Sequence, residues 1–275
     1  MGTEGMTSTS ILRHFVQAYN LSASSENKIH DDAVAKKFGF QGGLVPGVEV
    51  YAYMIYPMLQ HFGEEWLHSG YAECRLLKPV YDGARTDISG DFSGENLSLV
   101  VESSGEKCAA GLASISNGSH QSKKTKFQEV ELPEFEKRPK ASKVSLPIGK
   151  TLGTFKQIMS EDDQVQYLQD VSEPSGIFKK EKIIHPGWIL RMANRALSMN
   201  VLLGPWIHVG SKIQNIEAAY IGQTIAAHSE VTDLYERKGH NFVEIDVSVI
   251  GERDVFLTHI QHTAIYRPRQ VTEAA

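Results

Sequence analysis

The residues best suited to chemistry lie in one short segment, ENKIHDDAVAKKFGFQGGLVPGV, which begins at Glu26 and ends at Val48. His30 stands there three residues after Asn27 and directly before two aspartates. An imidazole titrates near neutral pH, so His30 can act as an acid/base group in catalysis. The alternative is that His30 only precedes the helix that follows it and has no chemical role.

The residues after His30 predict a short helix with a marked start and end. Asp31 or Asp32 can cap its N-terminus, where a negative charge is stabilising. The helix then runs through Lys37, and Gly39 can adopt the left-handed conformation that ends many helices. We therefore expect the backbone to be fixed directly after the histidine.

A glycine-rich turn and a Pro-Gly pair lead from this helix into a long apolar segment. Gly42 and Gly43 permit a bound molecule to approach the backbone closely. Pro46-Gly47 opens a second helix, of which Val48 is an early residue. The first amides of a helix have no partner within it, so they can hold a carbonyl oxygen or an anion. Beside the histidine, they would form an oxyanion site next to an acid/base group.

Two landmarks recur about 140 residues apart, which indicates an internal duplication. Pro46-Gly47 returns as Pro186-Gly187, and Tyr81-Asp82-Gly83 returns as Tyr220-Ile221-Gly222. Apolar and polar residues alternate after the second landmark, most clearly over Val243–Val249, as in a strand with one wet face. Each half therefore predicts one buried helix followed by three or four antiparallel strands.

The middle of the chain predicts a linker between the two halves. Residues 117–150 are polar, rich in lysine and glutamate, and interrupted by three prolines. This assigns residues 1–116 to an N-terminal domain with the His30 motif and residues 151–275 to a C-terminal domain with a degenerate motif. The fold class is α+β, and we expect the two halves to pair edge to edge in one continuous sheet.

The two predicted central helices differ in character. Val48–Leu59 is apolar on all sides and should be buried, with a kink or an end near Tyr56 because of Pro57. Trp188–Leu202 instead carries a polar stripe, which favours a solvent or interface face over a phosphate-binding face. The stripe consists of Arg191, Asn194, Arg195 and Ser198.

Composition and missing motifs exclude several classes of protein. The net charge of −5 does not favour nucleic-acid binding, and no apolar run approaches the ~18 residues of a membrane span. The N-terminus lacks the pattern of a signal peptide, and only two cysteines are present. We expect a cytoplasmic protein that binds neither nucleic acid nor a membrane.

No cofactor or metal is expected either. The chain contains no glycine-rich nucleotide loop and no CxxC motif. His259 and His262 lie three residues apart, so on a strand they would face opposite sides and could not share one ion. The chain contains no Gly-x-Ser-x-Gly sequence, which argues against an ordinary serine hydrolase.

The order of these features resembles the MaoC-like hotdog family, which includes (R)-specific enoyl-CoA hydratases and 3-hydroxyacyl dehydratases. The family motif is Asp-x-Asn-Pro-(aliphatic)-His, then a short helix, a glycine-rich turn and His-Gly at the central helix. Here the same frame is Ser25-Glu26-Asn27-Lys28-Ile29-His30, then DDAVAKKFGFQGG and Pro46-Gly47. LLKPVYDGARTDIS is similar to the family's RFLRPVYPGDTL, and HPGWILRMANRAL and AAYIGQTI match more weakly. The resemblance implies two tandem hotdog folds, each an antiparallel sheet wrapped around a long central helix.

The resemblance implies specific roles for the matching residues. In the family, the aspartate and the histidine hold the water that adds to an enoyl thioester, and backbone amides hold the thioester carbonyl. His30 would be the acid/base group, Ser25 and Asn27 the water and loop organisers, and the start of the helix at Gly47 and Val48 the oxyanion site. Ser25 replaces the aspartate, however, and a serine hydroxyl cannot take the proton of water near neutral pH.

Further candidate site residues lie near these positions. In the first half, the carboxylates of Glu26 and Asp31 are close in sequence but out of register with the motif. In the second half, His185 and Asp170 occupy the corresponding region, although a lone histidine is commonly just a satisfied polar group and a carboxylate on a capped helix is commonly structural. Substrate contacts are expected from the Gly42-Gly43 turn.

Three functions are compatible with these features. The first is a hydratase or dehydratase acting on an enoyl or 3-hydroxyacyl thioester, or on a related unsaturated carbonyl compound, in fatty acid metabolism. The second is a non-catalytic hotdog that binds an acyl group or a partner and has lost the catalytic aspartate. The third, weaker one is an acyl-CoA thioesterase.

The expected partner is a small acyl thioester, with a coenzyme A ester as one candidate, and a homodimer is a candidate assembly. Basic candidates for coenzyme A binding are Lys36, Lys37, Arg75, Arg191 and Arg195.

Overall fold

The computed structural model describes residues 12–116 and 127–269. In the described part of the first half, five strands and four α-helices follow one another along the chain. They are β1 (Leu12–Gln17), α1 (Asp32–Lys36), α2 (Gly47–Ala52), α3 (Ile55–Phe62), α4 (Trp66–Ser69), β2 (Gly70–Leu76), β3 (Arg85–Ser93), β4 (Asn96–Ser103) and β5 (Glu106–Ile115).

The described part of the second half contains five strands and three α-helices. They are β6 (Phe155–Ile158), α5 (Glu161–Asp170), α6 (Ile177–Lys180), α7 (Pro186–Ser198), β7 (Ile207–Asn215), β8 (Thr224–Arg237), β9 (His240–Ile250) and β10 (Phe256–Arg267). Short 3-10 turns cover Lys28–His30, Phe135–Lys137 and Glu252–Asp254.

All ten strands form one antiparallel sheet, in the order β1-β3-β4-β5-β2-β7-β10-β9-β8-β6. The order in the second half mirrors that in the first, so the halves meet at the central pair of β2 and β7. This pair runs in register from Tyr71 opposite Gln214 to Arg75 opposite Gly210. The continuous sheet expected from the sequence is therefore present, and each half covers the other's open strand edge.

The internal duplication is visible in the backbone contacts as well as in the order of strands. An isolated antiparallel bridge joins Leu44 to Tyr81 in the first half, and the matching bridge joins Ile183 to Tyr220 in the second. Both partners are shifted by the same number of positions between the halves. The tyrosine of each Tyr-x-Gly landmark thus pairs with the chain just before the central helix of its half. The turn that contains this tyrosine leads into β3 in the first half and into β8 in the second.

Pro57 breaks the first central helix, but earlier than the sequence predicts. The helix is interrupted at Tyr53 and Met54, between α2 and α3, whereas a kink near Tyr56 was expected. A proline removes one amide donor and its ring presses on the carbonyl four residues earlier, which here belongs to Tyr53. The break therefore falls at that carbonyl, and Pro57 itself lies within α3.

The second central helix is uninterrupted but is displaced from its predicted bounds. Helix α7 starts at Pro186, two residues earlier than expected, and ends at Ser198 rather than at Leu202. Proline is well accommodated in the first turn of a helix, where its missing amide has no helical partner. The His185 ring caps this start, which is not evident from helical periodicity.

The sheet contains one more strand in each half than the central-helix pattern predicts. Strands β1 and β6 lie at the two outer edges, and each precedes its central helix in the chain. Both are short and expose large apolar side chains, Phe15 and Ile158. Their sequences lack the long alternation that reveals β8 and β9, which explains why the sequence did not predict them.

The described part of the predicted linker packs on the second half. The Phe127 ring stacks on the Phe256 ring with centroids 5.8 Å apart, and Leu146 is fully buried. The Arg138 side chain is almost fully buried and donates to the carbonyl of Ser198 at 2.6 Å. The domain boundaries at residues 116 and 150 stay a prediction.

Within residues 12–116 and 127–269, no helix has the length and apolar character needed to cross a membrane.

Candidate functional site

The segment around His30 is held by caps at both of its turns. The 3-10 turn Lys28–His30 begins at Asn27, whose side chain accepts from the Ile29 amide at 3.4 Å. Helix α1 then begins with the Asp31 carboxylate accepting from the Val34 amide at 2.9 Å. The predicted cap of this helix is confirmed. One oxygen of the Asp31 carboxylate is therefore used in capping α1.

The Gly42-Gly43 turn packs against the same segment. Asp32 accepts from the Gly43 amide at 2.7 Å, and Asn20 donates to the His30 carbonyl at 2.9 Å. A Cβ atom on Gly43 would overlap the backbone carbonyl of His30. The two glycines thus permit close approach of the chain to itself, and neither lines a described cavity. The substrate contact expected of them stays a prediction.

The hydrogen bonds of the His30 ring determine which nitrogen carries its proton. Nδ1 lies 2.6 Å from the Leu44 carbonyl, which can only accept, so Nδ1 carries the hydrogen. In the neutral ring, Nε2 is therefore an acceptor, and the Asn27 side-chain amide donates to it at 3.2 Å. Burial lowers the pKa of His30, which keeps the ring neutral near pH 7.

Asn27 connects this segment to the other half of the molecule. Its Oδ1 accepts from the Trp206 amide at 3.1 Å, and its Nδ2 donates to the Trp206 carbonyl at 3.0 Å. Trp206 directly precedes strand β7. The motif asparagine therefore fixes the His30 segment against the second half, and this residue of the second half could not be identified from the sequence.

His30 lies where two cavities between the halves meet. One is an apolar cavity of about 210 Å³, and the other is a more polar cleft of about 460 Å³. Residues that line both are His30, Asn27, Pro46, Asn194 and Trp206. Side chains that make the first cavity apolar include Ile29, Val50, Leu76, Ile207 and Ile265.

Free backbone amides adjoin His30 at the start of α2. Gly47 lines the apolar cavity and Val48 lines the polar cleft. Pro46 stands at the cap position and provides no side-chain hydrogen bond to the first turn. In the described ranges, no acceptor is found for the amides of Gly47 and Val48. They are therefore available to a carbonyl oxygen of a bound molecule.

Two polar side chains of the cleft carry oxygen atoms without partners. Asn194, on α7, has a buried Oδ1 with no hydrogen-bond partner in the described structure. Glu49, on α2, is fully buried, and its Oε1 accepts from Arg191 Nε at 2.5 Å while its Oε2 has no partner. Burial raises the pKa of the Glu49 carboxyl, although Arg191 opposes this effect. The lone charge in the apolar segment VEVYAYM is the sequence signal that could have identified Glu49.

The carboxylates near the motif are engaged elsewhere. Glu26 forms an ion pair with Arg138 at 3.3 Å. Ser25, at the position of the family aspartate, lines the cleft and donates to the Asn27 carbonyl at 3.4 Å. Among the described residues, no carboxylate forms a hydrogen bond with the His30 ring. The candidate site therefore places a histidine near free backbone amides, with no carboxylate hydrogen-bonded to the ring in the described residues.

The corresponding place in the second half is filled by its own side chains. The Gly187 amide donates to Nδ1 of the fully buried His185 at 3.0 Å, so His185 Nε2 carries hydrogen and faces Glu173 at 3.3 Å. The Phe178 and Tyr167 rings lie 4.6 and 5.5 Å from the His185 ring. The amide that would hold a ligand oxygen is thus already used.

Asp170 lies on the last turn of α5, away from both cavities. Its carboxylate accepts from the Gln166 side chain, four residues earlier on the same helix, at 2.8 Å. This contact is of the kind that commonly stabilises a helix surface. The side chains of Asp170 and His185 both have partners within the second half, and their place in a site stays a prediction.

Of the basic residues expected near a coenzyme A ester, two lie at the cleft; Arg138, from the predicted linker, lines it as well. Arg191 and Arg195 line it, whereas Lys36, Lys37 and Arg75 line neither of the two cavities. The polar stripe of α7 therefore faces the interface between the halves.

In the described ranges, no group of three or more histidine, cysteine, aspartate or glutamate side chains is arranged to hold a metal ion.

Comparison with solved structures identifies proteins of the same architecture. A protein from Chloroflexus aurantiacus described as a MaoC domain dehydratase matches with a TM-score of 0.63 and 11% identity, over 96% of both chains. A Mycobacterium tuberculosis protein described as having a double hotdog fold matches with a TM-score of 0.63 and 11% identity, over 94% of this chain and 96% of its own. The chain has a double hotdog fold.

Proteins whose descriptions name different reactions share this architecture. A Thermobifida fusca protein described as a thioesterase II matches with a TM-score of 0.50 and 9% identity, over 94% of this chain and 95% of its own. Comparisons with the sequence profiles of known families and with curated proteins find no match. The resemblance to MaoC-like proteins that the sequence motif indicates is confirmed for the fold. Because one fold hosts several reactions, only the residues of the site can indicate which reaction this chain catalyses.

Proposed function

We propose that the chain is a hydratase or dehydratase of enoyl or 3-hydroxyacyl thioesters, with His30 as its acid/base group. The observation that carries this proposal is the position of His30 between an apolar cavity and a polar cleft, beside the free amides of Gly47 and Val48. An acyl chain fits the apolar cavity, and a carbonyl oxygen fits the amides.

One base is sufficient for the proposed hydration. Water replaces the Asn27 amide as the hydrogen-bond donor to His30 Nε2. His30 Nε2 then takes a proton from this water while the water oxygen bonds to the β-carbon of the enoyl thioester. The electron pair of the carbon–carbon double bond moves toward the thioester carbonyl, and the amides of Gly47 and Val48 hold the resulting negative oxygen. The His30 imidazolium then returns its proton to the α-carbon, and dehydration is the reverse sequence.

The environment of His30 supports both steps. Burial lowers its pKa, so the ring is an unprotonated base at neutral pH. The same effect makes the imidazolium a stronger acid, which assists protonation of the α-carbon. Because one nitrogen handles both protons, the hydroxyl and the new hydrogen should be added to the same face of the double bond.

Two other functions are favoured by particular observations. The lack of a carboxylate hydrogen-bonded to His30 favours a protein that binds acyl groups without transforming them. The partnerless Glu49 Oε2 on the central helix favours a thioesterase, in which a carboxylate would activate water. We propose a coenzyme A ester as the ligand, with Arg191 and Arg195 near its charged part. Location in the cytoplasm and assembly as a homodimer stay predictions.

The experiment measures hydration of crotonyl-CoA by the loss of its enoyl absorbance and hydrolysis by the release of free thiol. His30→Ala should lower the hydration rate by about 10²–10⁴, the usual contribution of an acid/base group. Replacing the exposed His61 by alanine is the matched control and should leave the rate unchanged. Ser25→Asp adds a carboxylate to the cleft that His30 lines and should raise the rate.

Each alternative gives a different result. Binding of crotonyl-CoA without hydration or thiol release, by the wild type and by Ser25→Asp, supports the binding-only function. Thiol release that is lost in Glu49→Gln but kept in His30→Ala supports the thioesterase. A hydration rate that is equal in the wild type and in His30→Ala contradicts the proposed role of His30.

A further inference from the structure

A cluster of buried polar side chains lies on the second-half side of the apolar cavity. His208 Nε2 lies 2.9 Å from the Ser211 hydroxyl on β7, and the same hydroxyl lies 2.9 Å from His262 Nδ1 on β10. The two imidazole rings stack with centroids 4.3 Å apart and an angle of 21° between their planes. None of the three side chains has a part in the reaction proposed above.

The cluster is closed to solvent, and one of its three members lines the apolar cavity. His208, Ser211 and His262 are all at least nine-tenths buried. Nδ1 of His208 nevertheless has no hydrogen-bond partner in the described structure, and His208 lines the apolar cavity. A Cβ atom added to Gly47 would lie 2.8 Å from this nitrogen. The free nitrogen is therefore next to the backbone amides that adjoin His30.

The serine couples the proton positions of the two rings. A hydroxyl has one hydrogen, so it donates to one histidine nitrogen and accepts from the other. If it donates to His208 Nε2, then His208 Nδ1 carries hydrogen and is a donor toward the cavity. If it donates to His262 Nδ1, then His208 Nδ1 is an acceptor. Burial lowers the pKa of His208 to about 4 and that of His262 well below its usual value, so both rings are neutral at pH 7.

We infer that His208 donates a hydrogen bond from Nδ1 to the carbonyl oxygen of the bound acyl thioester, next to the amides of Gly47 and Val48. Ser211 and His262 are positioning residues in this arrangement: the Ser211 hydroxyl donates to His208 Nε2 and accepts from His262 Nδ1, which leaves the hydrogen of His208 on Nδ1. A network with a purely structural role would be expected to have partners at its ends. Here both ends are unpartnered, Nδ1 of His208 and Nε2 of His262, but only His208 lines the apolar cavity. The place of a side chain on Gly47 is taken by Leu76 Cδ1, so a bound oxygen would approach Nδ1 of His208 from the cavity and displace the flexible end of Leu76. The inference rests on the proposed binding of an acyl thioester, and it adds a donor from the second half.

The test compares two probes that differ only at the proposed acceptor. Crotonyl-CoA carries the thioester carbonyl, whereas the crotyl thioether of coenzyme A has a methylene in its place. The wild type should bind the thioester more tightly than the thioether, and His208→Leu should lower this preference about three- to tenfold by weakening only the thioester. His14→Leu changes a histidine on β1 outside both cavities and should leave both affinities unchanged.

The outcomes separate this inference from the proposed function. If His208→Leu weakens both probes equally, His208 only packs against the ligand and the inference is wrong. If the wild type binds neither probe, the proposed function is wrong and the inference falls with it. If the thioester preference is lost in His208→Leu while hydration is absent in the wild type, the inference holds for a binding-only protein.

A second measurement tests the positioning residues directly. In the complex with crotonyl-CoA, the nitrogen NMR shifts of isotope-labelled histidine should show His208 with its hydrogen on Nδ1. Ser211→Ala removes the coupling and should give a mixture of tautomers, and Ser211→Thr should restore the single tautomer. Hydrogen on Nε2 of His208 in the wild-type complex would overturn the inference.

Discussion

Asn27 and Trp206 exchange two hydrogen bonds across the interface between the halves, although 179 residues separate them in the chain. The Asn27 side chain presents its oxygen to the Trp206 amide and its nitrogen to the Trp206 carbonyl. The same nitrogen also reaches Nε2 of His30 at 3.2 Å. One side chain therefore sets both the position of the His30 ring and its distance from the second half.

We expect Asn27→Ala to lower the free energy of unfolding by about 1–3 kcal/mol, because both peptide groups of Trp206 lose a partner. Urea unfolding followed by far-ultraviolet circular dichroism measures this. Asn96→Ala, at an exposed position on β4, is the matched control and should change stability by no more than about 0.5 kcal/mol. Equal stabilities of the two variants would show that the contact with Trp206 contributes nothing.

The local features of this site could be predicted from the sequence because each depends on neighbouring residues. The cap at Asp31, the left-handed Gly39 and the glycine-rich turn all lie within one short segment. Their geometry follows from backbone sterics and from hydrogen bonds between residues close in the chain. The duplication was also readable, because the Pro-Gly and Tyr-x-Gly landmarks occupy equivalent places in both halves.

The contacts between the halves could not be predicted in this way. Trp206, His208 and Glu49 reach the site only because β2 pairs with β7 and α2 packs against α7. No pattern in a single segment indicates which residue of the other half will face it. The role of His185 was equally hidden, since a histidine before Pro-Gly is compatible with an open site or, as found, with a capped and filled one.

We predict that stability falls as the pH is lowered from about 6.5 to about 4, with His208 as one cause. Its folded-state pKa of about 4 lies below the value near 6.5 expected in the unfolded chain. Between these values the unfolded state binds a proton that the folded state does not, so the free energy of unfolding decreases with falling pH. At pH 5 the loss from this one group is about 2 kcal/mol, relative to pH 7.5.

Urea unfolding at both pH values tests this dependence. His208→Leu should reduce the loss between pH 7.5 and pH 5 by about 2 kcal/mol. His259 supplies a control of opposite sign, because the hydrogen bond that its ring donates to the Asp246 carboxylate raises its pKa. Its stabilising effect is present at low pH and is lost as the pH rises, so His259→Gln should make the loss at pH 5 larger. An unchanged loss in His208→Leu would contradict the assignment.

We predict that His185→Ala destabilises the protein without weakening binding of crotonyl-CoA. The variant removes the cap on Gly187 and takes the histidine partner from the buried Glu173 carboxylate, which keeps only the Ser175 amide, so the free energy of unfolding should fall by about 3 kcal/mol or more. Affinity measured by calorimetry below the unfolding temperature should stay within about twofold of the wild type. A large loss of affinity would mean that the second half contains a working site.

We predict that neither half forms a stable monomer on its own. The first half would expose the edge of β2, which five residue pairs cover in the intact chain. It would also leave the fully buried Glu49 carboxylate on α2 without Arg191. An open strand edge promotes association of chains, and an unpaired buried charge is strongly destabilising.

Expression of residues 1–120 alone tests this last prediction, with the full chain as the control. The fragment should be insoluble, or should elute from size-exclusion chromatography as an oligomer without a cooperative thermal transition. Glu49→Gln in the fragment removes the charge but leaves the strand edge open, so it should not restore a folded monomer. A soluble monomer with a cooperative transition would show that the first hotdog is an independent domain, and that pairing of β2 with β7 is not required for its fold.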